Sequence, residues 1–140
     1  MANHIDSYKK YQQVQINTAS RMKLVLMLYN AAIGAMKKAI HSLEQEDVEG
    51  KGKCLIKAQD IILELMVSLD LEVGEMATNL QRLYLYCYRR LIEANINMDP
   101  KPIEEVIGLM SKLQDAWEKI VAEEDVGKDP KQSSEIAMFG

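Results

Sequence analysis

A fifteen-residue stretch from Met22 to Met36, MKLVLMLYNAAIGAM, is apolar at every position except Lys23, Asn30 and Gly34. At about 100° per residue, Lys23, Asn30, Gly34, Lys37 and His41 fall within roughly ±40° of one line. The rest of the circumference is apolar, so a helix here is buried on several sides. Such a helix is either the central rod of a bundle or an element that keeps part of its surface for another chain.

A chain of 140 residues has the size of one domain and can bury a core without a metal or disulfide. Pro and aromatic residues are scarce beside Leu, Ala, Met, Lys and Glu, a balance that favours helix. Four segments follow. The first runs over 21–46, with Ser20 or Thr18 as its cap, and Arg21 and Lys23 oppose the dipole in its first turn. Asp47 to Lys53, DVEGKGK, reads as the turn that ends it. A second helix over 54–71 carries Leu55, Ala58, Ile62, Leu65 and Leu69 at spacings of three and four, a packing seam. Gly74 precedes a third helix, 75–97, whose inner line is Met76, Leu80, Leu83, Cys87, Leu91 and Ala94. Asp99-Pro100-Lys101-Pro102 stops it and starts a fourth, 101–123, with Ile103, Val106, Met110, Leu113, Trp117 and Ile120 on one stripe.

Short connections force neighbouring helices to reverse, so the expected fold is an all-α, antiparallel up-down four-helix bundle with an extra short N-terminal segment or helix packed on it. Residues 1–17 form an N-terminal arm with Tyr8, Tyr11, Val14 and Ile16, 18–124 the bundle, and 125–140 a polar tail. The tail's apolar tip, Ile136 to Phe139, is left to dock on the body or on a neighbour.

Net charge −4 argues against electrostatic capture of nucleic acid or an anionic membrane. No apolar run reaches the roughly 20 residues of a membrane span, and the N-terminus has no signal-peptide core, which points to a cytoplasmic protein. Cys54 and Cys87 lack metal-ligand spacing and read as reduced thiols. No cofactor is expected. The Glu-x-x-His pairs of di-iron bundles are missing. Lys37, Lys38 and His41 hold the ingredients of a histidine phosphotransfer module, but the sequence after His41, Ser42-Leu-Glu-Gln-Glu, departs from the small-residue pattern of such modules. Nine methionines and the tyrosines suit surfaces that adapt to a partner.

Several strings in order resemble the FliS family of flagellin-specific export chaperones: Tyr8 and Tyr11-Gln-Gln-Val14; Asn17-Thr-Ala-Ser20 and Leu26-Met-Leu-Tyr29; Lys57-Ala-Gln-Asp-Ile61-Ile62; Gly74-Glu-Met-Ala77-Thr-Asn79-Leu80; Arg89-Arg90-Leu-Ile-Glu-Ala94-Asn95; Ile103-Glu-Glu-Val-Ile-Gly108-Leu; and Ala116-Trp117. The family's usual Pro after the capping Ser is replaced by Arg21. The resemblance implies a non-enzymatic cytoplasmic chaperone that binds the disordered C-terminal region of flagellin in apolar grooves. It also implies that early polymerisation is prevented and that, with flagellin bound, the export gate is approached. Tyr8, Tyr11 and Val14 match an arm that covers part of the groove. The expected contact surface is Leu24, Leu28 and Tyr29 of the first helix, Ile62, Leu65 and Leu69 of the second, and Leu83 and Tyr86 of the third. The protein is expected to be a monomer or weak homodimer. The alternatives are the phosphotransfer module and a structural bundle that dimerises through its surplus apolar surface.

Overall fold

The computed structural model describes residues 18–126 and 137–139. Four helices make up nearly all of it: α1, Thr18–Glu44; α2, Val48–Val67; α3, Glu75–Asn97; and α4, Pro100–Val126. Two short 3-10 turns, Leu71–Val73 and Ala137–Phe139, lie at one end. Each helix packs on its neighbours in chain order and α4 closes the ring onto α1, which is the up-down four-helix bundle that short loops dictate. No strand occurs among the described residues.

The core is one cluster. Met22, Val25, Tyr29, Ala32, Met36 and Ala39 of α1 meet Leu55, Ala58, Ile62 and Leu65 of α2, Ala77, Leu80, Tyr84, Cys87, Leu91 and Ala94 of α3, and Ile103, Val106, Met110 and Trp117 of α4. The α2 seam therefore packs as its spacing requires, whereas Met76, expected on the inner line of α3, is 54% exposed and Ala77 takes its place. Ser20 lies inside α1, whose described residues begin at Thr18. Lys23, Asn30, Lys37 and His41 all face solvent.

The α1–α2 connection differs most from expectation. Residues 48–53 are the first turns of α2, not a loop. Glu46 takes the left-handed conformation (φ 56°) that a glycine would ordinarily supply, and Asp47 caps α2 by accepting from the Gly50 amide at 3.0 Å. With the turn made by Glu46 and the cap by Asp47, the two glycines are absorbed into the helix. Lys51, 4% exposed, then sends its Nζ to the Asn95 carbonyl (3.0 Å) and Oδ1 (2.7 Å). A cation thus sits on the C-terminal carbonyls of α3, where the helix dipole favours it. Met98 (φ 54°) ends α3 in the left-handed region, its amide returning to the Ala94 carbonyl. Asp99 Oδ1 accepts from the Lys101 amide at 3.0 Å and opens α4.

Candidate functional site: the open grooves of the bundle

Some of the exposed apolar residues fall into rows. Ile56 (54% exposed), Leu63 (45%) and Val67 (78%) lie on one line of α2. Lys53, Cys54 and Lys57 line the groove toward α1, and at about 100° per residue the Ile56–Val67 row lies on the outer face of α2, on the side away from that groove and toward α3. On α3 the same test applies. Met76, Asn79 and Leu83 line a depression shared with α4, and Tyr86 and Arg90 reach α4, so Leu85, Ile92 and Ile96 lie on the flank toward α2. Two apolar rows thus border one groove. Each row carries one exposed charge, Asp60 on α2 and Arg89 on α3.

The α3–α4 groove is built differently. Its upper part is closed by polar contacts: Tyr86 donates to Glu105 Oε2 at 2.8 Å, Arg90 Nε donates to Glu105 Oε1 at 2.7 Å, and Arg90 also pairs with Glu93. The Arg90 guanidinium, then the Tyr86 hydroxyl, hold the Glu105 carboxyl below the usual carboxylate range. The lower part is apolar, a depression of about 280 Å³ lined by Met76, Asn79, Leu80, Leu83, Leu113, Trp117 and Met138. Between α1 and α2 a third depression of about 330 Å³ combines Ala31, Gly34 and Ala35 with Lys38, Lys53 and Lys57.

The expected contact residues divide accordingly. Leu24 (60% exposed) and Tyr86 (43%) are open, and Leu28 and Leu83 are half-buried. Four of the expected contact residues are buried. Tyr29, Ile62 and Leu65 are 0% exposed and Leu69 is 9%, so these side chains are core and present no groove surface. The reason is geometric: Tyr29 sits on the inward line of α1, Ile62 and Leu65 on that of α2, and Leu69 follows the end of α2 and packs into the core, while the exposed row of α2 lies one flank away, at Ile56, Leu63 and Val67. Tyr8, Tyr11 and Val14 lie outside the described residues. Sequence reasoning did not single out Ile56, Val67, Ile92 and Ile96; their signal was apolar residues off the packing seam.

Among the described residues no group of three or more His, Cys, Asp or Glu could hold a metal ion. Burial, then the Glu105 charge, push the Cys87 thiol up to about 12, which keeps it protonated and unreactive. Burial likewise raises Tyr29 to about 12, and raises Tyr84 further still. No helix among the described residues is long and apolar enough to cross a membrane.

Known proteins resemble this chain over most of its length. The pattern of the family described as flagellar protein FliS matches residues 2–124. The flagellar secretion chaperone FliS of Bacillus subtilis is 39% identical over 130 residues, covering 93% of this chain and 96% of the relative. That of Salmonella typhimurium is 45% identical over 118 residues, 80% of this chain and 87% of the relative. That of Escherichia coli is 38% identical over 117 residues, 82% and 86%. Chaperones of this kind are not enzymes, and the phosphotransfer alternative at His41 falls away. With an all-helical bundle, a matching pattern over most of its length and relatives of this similarity, the chain belongs to the FliS family of flagellar secretion chaperones.

Proposed function

We propose that this chaperone binds the disordered C-terminal region of flagellin as an amphipathic helix laid along the α2–α3 groove, in the cytoplasm, before export. The observation that supports the reading is the paired apolar rows: Ile56, Leu63 and Val67 against Leu85, Ile92 and Ile96, each 38–78% exposed. A helical client would meet them at i, i+4 and i+7 positions, the pattern of helix-in-groove recognition. Covering side chains already partly shielded is worth about 1 kcal/mol apiece. That sum offsets the roughly 2–5 kcal/mol of ordering that a disordered segment requires on folding against its partner. Asp60 and Arg89 lie among these apolar contacts and give the groove a polar register.

Binding of this kind hides the client's apolar face, which keeps subunits from associating early and leaves them unfolded enough for export. The arm with Tyr8, Tyr11 and Val14 is proposed as a lid that competes for part of the same surface, and the loaded complex as the form that meets the export gate.

Titrating a flagellin C-terminal peptide into the protein by calorimetry tests the reading. The expected result is a negative heat-capacity change with a gain of helix by circular dichroism. Absence of binding at tens of micromolar would overturn it.

A further inference from the structure

The last apolar residues of the chain are seated on the bundle. Met138 is 2% exposed and Phe139 4%. Phe139 meets Trp117 edge to face, ring centroids 5.4 Å apart, and the Met138 carbonyl accepts from the Asp70 amide at 2.9 Å. One 3-10 turn, two apolar side chains and one main-chain bond thus place the tail, and ten residues, 127–136, separate it from the end of α4. Beside Met138 the seat continues as the open trough between Leu80 and Leu83 of α3 and Leu113 of α4. The trough has more apolar wall than the tail covers, since Met76 at its rim remains 54% exposed. The family pattern ends at residue 124, so the seated tail is a feature of this chain outside that pattern.

A contact this small holds chiefly because it is tethered. A short connection gives an effective concentration of about a millimolar, so a weak intrinsic contact stays largely made until a competitor with more apolar contact arrives. The chemistry of the seat is legible from its occupant: an aromatic edge against an indole, with a flexible thioether filling the space alongside.

We propose that Trp117 and the α3–α4 trough form a recognition site for a Met- and Phe-type apolar anchor. The chain's own Met138–Phe139 fills it at rest, and an apolar stretch of the disordered client displaces them; this last clause rests on the functional reading above.

Trp117 is the chain's single tryptophan, so its fluorescence reports the seat directly. In the full-length double variant Met138→Ser/Phe139→Ser the emission should move to the red while the helical circular dichroism is unchanged; Phe139→Leu, which keeps the apolar contact, should lie between. Adding a synthetic peptide of residues 131–140 to the double variant should reverse the shift saturably, and a flat titration to several millimolar overturns the site. The flagellin C-terminal peptide, whose apolar anchor replaces the tail on the indole, should reverse the red shift of the double variant and bind that variant about tenfold more tightly than the unmodified protein. Equal affinity for the two proteins overturns displacement. A peptide that binds neither overturns both the displacement and the client reading, while the titration with residues 131–140 decides the seat by itself.

Discussion

The indole Nε1 of Trp117 donates to the Tyr29 hydroxyl at 3.1 Å, and that hydroxyl is also bonded to the hydroxyl of Tyr84. The chain crosses the bundle diagonally and ties α1, α3 and α4 through a single buried oxygen, so register among the three helices is set by a polar contact inside an apolar core. Tyr29→Phe keeps the ring and its packing but leaves the Trp117 N–H and the Tyr84 hydroxyl without that partner. The expected cost is about 1–3 kcal/mol, read from the midpoint of urea unfolding at constant slope. A loss below about 0.5 kcal/mol would mean that the freed groups find other partners.

The same chain fixes the response to alkali. Burial raises Tyr29 to about 12 and lifts Tyr84 as well, and burial carries Cys87 to about 12. In the unfolded state these groups lose their protons near pH 10 for tyrosine and 8.5 for cysteine. Above those values the unfolded state binds fewer protons than the folded one, so stability falls as pH rises. The contribution is complete below about pH 8.5 and lost progressively toward pH 12. Unfolding midpoints measured from pH 7 to 11 should hold steady and then drop, and Cys87→Ala should delay the onset to the tyrosine range. A flat profile to pH 11 contradicts the burial of these three groups.

Gly50 and Gly52 stand two residues apart in one helical turn and should respond in opposite directions to the same substitution. A Cβ at Gly52 meets nothing within 4 Å, so Gly52→Ala gains helix propensity, about 1 kcal/mol. A Cβ at Gly50 would overlap the Asp47 carboxylate and come within 3.0 Å of Ser42 Oγ, and the carboxylate is the cap of α2. Loss of that cap costs about 1 kcal/mol and cancels or reverses the propensity gain. Thermal unfolding of the two single variants decides it: Gly52→Ala should melt above the parent, Gly50→Ala at or below it.

That turn also shows where the sequence misleads. Two glycines in three residues read as a break, because glycine is the poorest interior helix former after proline. Nothing in the local pattern says that Glu46 will adopt the left-handed turn and Asp47 the cap. By contrast Gly74 and Asp99-Pro100 bracket α3 at the residues where it starts and stops, since neither signal depends on distant packing. The α2 seam was legible for the same reason. The choice of groove residues was not. Tyr29, Ile62 and Leu65 are apolar residues on helices apolar over much of their circumference, and which flank stays open depends on where the neighbouring helices stand. A lysine in contact with a distant helix, as Lys51 is with Asn95, has no periodic signature at all.

Adjacent residues of α2 separate core from groove. Ile62 is 0% exposed and Leu63 45%. Ile62→Ala should remove about 2–5 kcal/mol of stability, the usual cost of emptying a packed site. Leu63→Ser should stay within about 0.5 kcal/mol of the parent in urea. For the flagellin peptide the order inverts. Under conditions where both variants are folded, Ile62→Ala should bind it within a few-fold of the parent. Leu63→Ser, alone or with Ile92→Ser across the groove, should weaken binding by about tenfold per residue, since about 1.4 kcal/mol is a factor of ten and these side chains contribute near that when covered. Calorimetric affinities that track stability instead, with Leu63→Ser neutral and Ile62→Ala weak, would place the client elsewhere on the bundle.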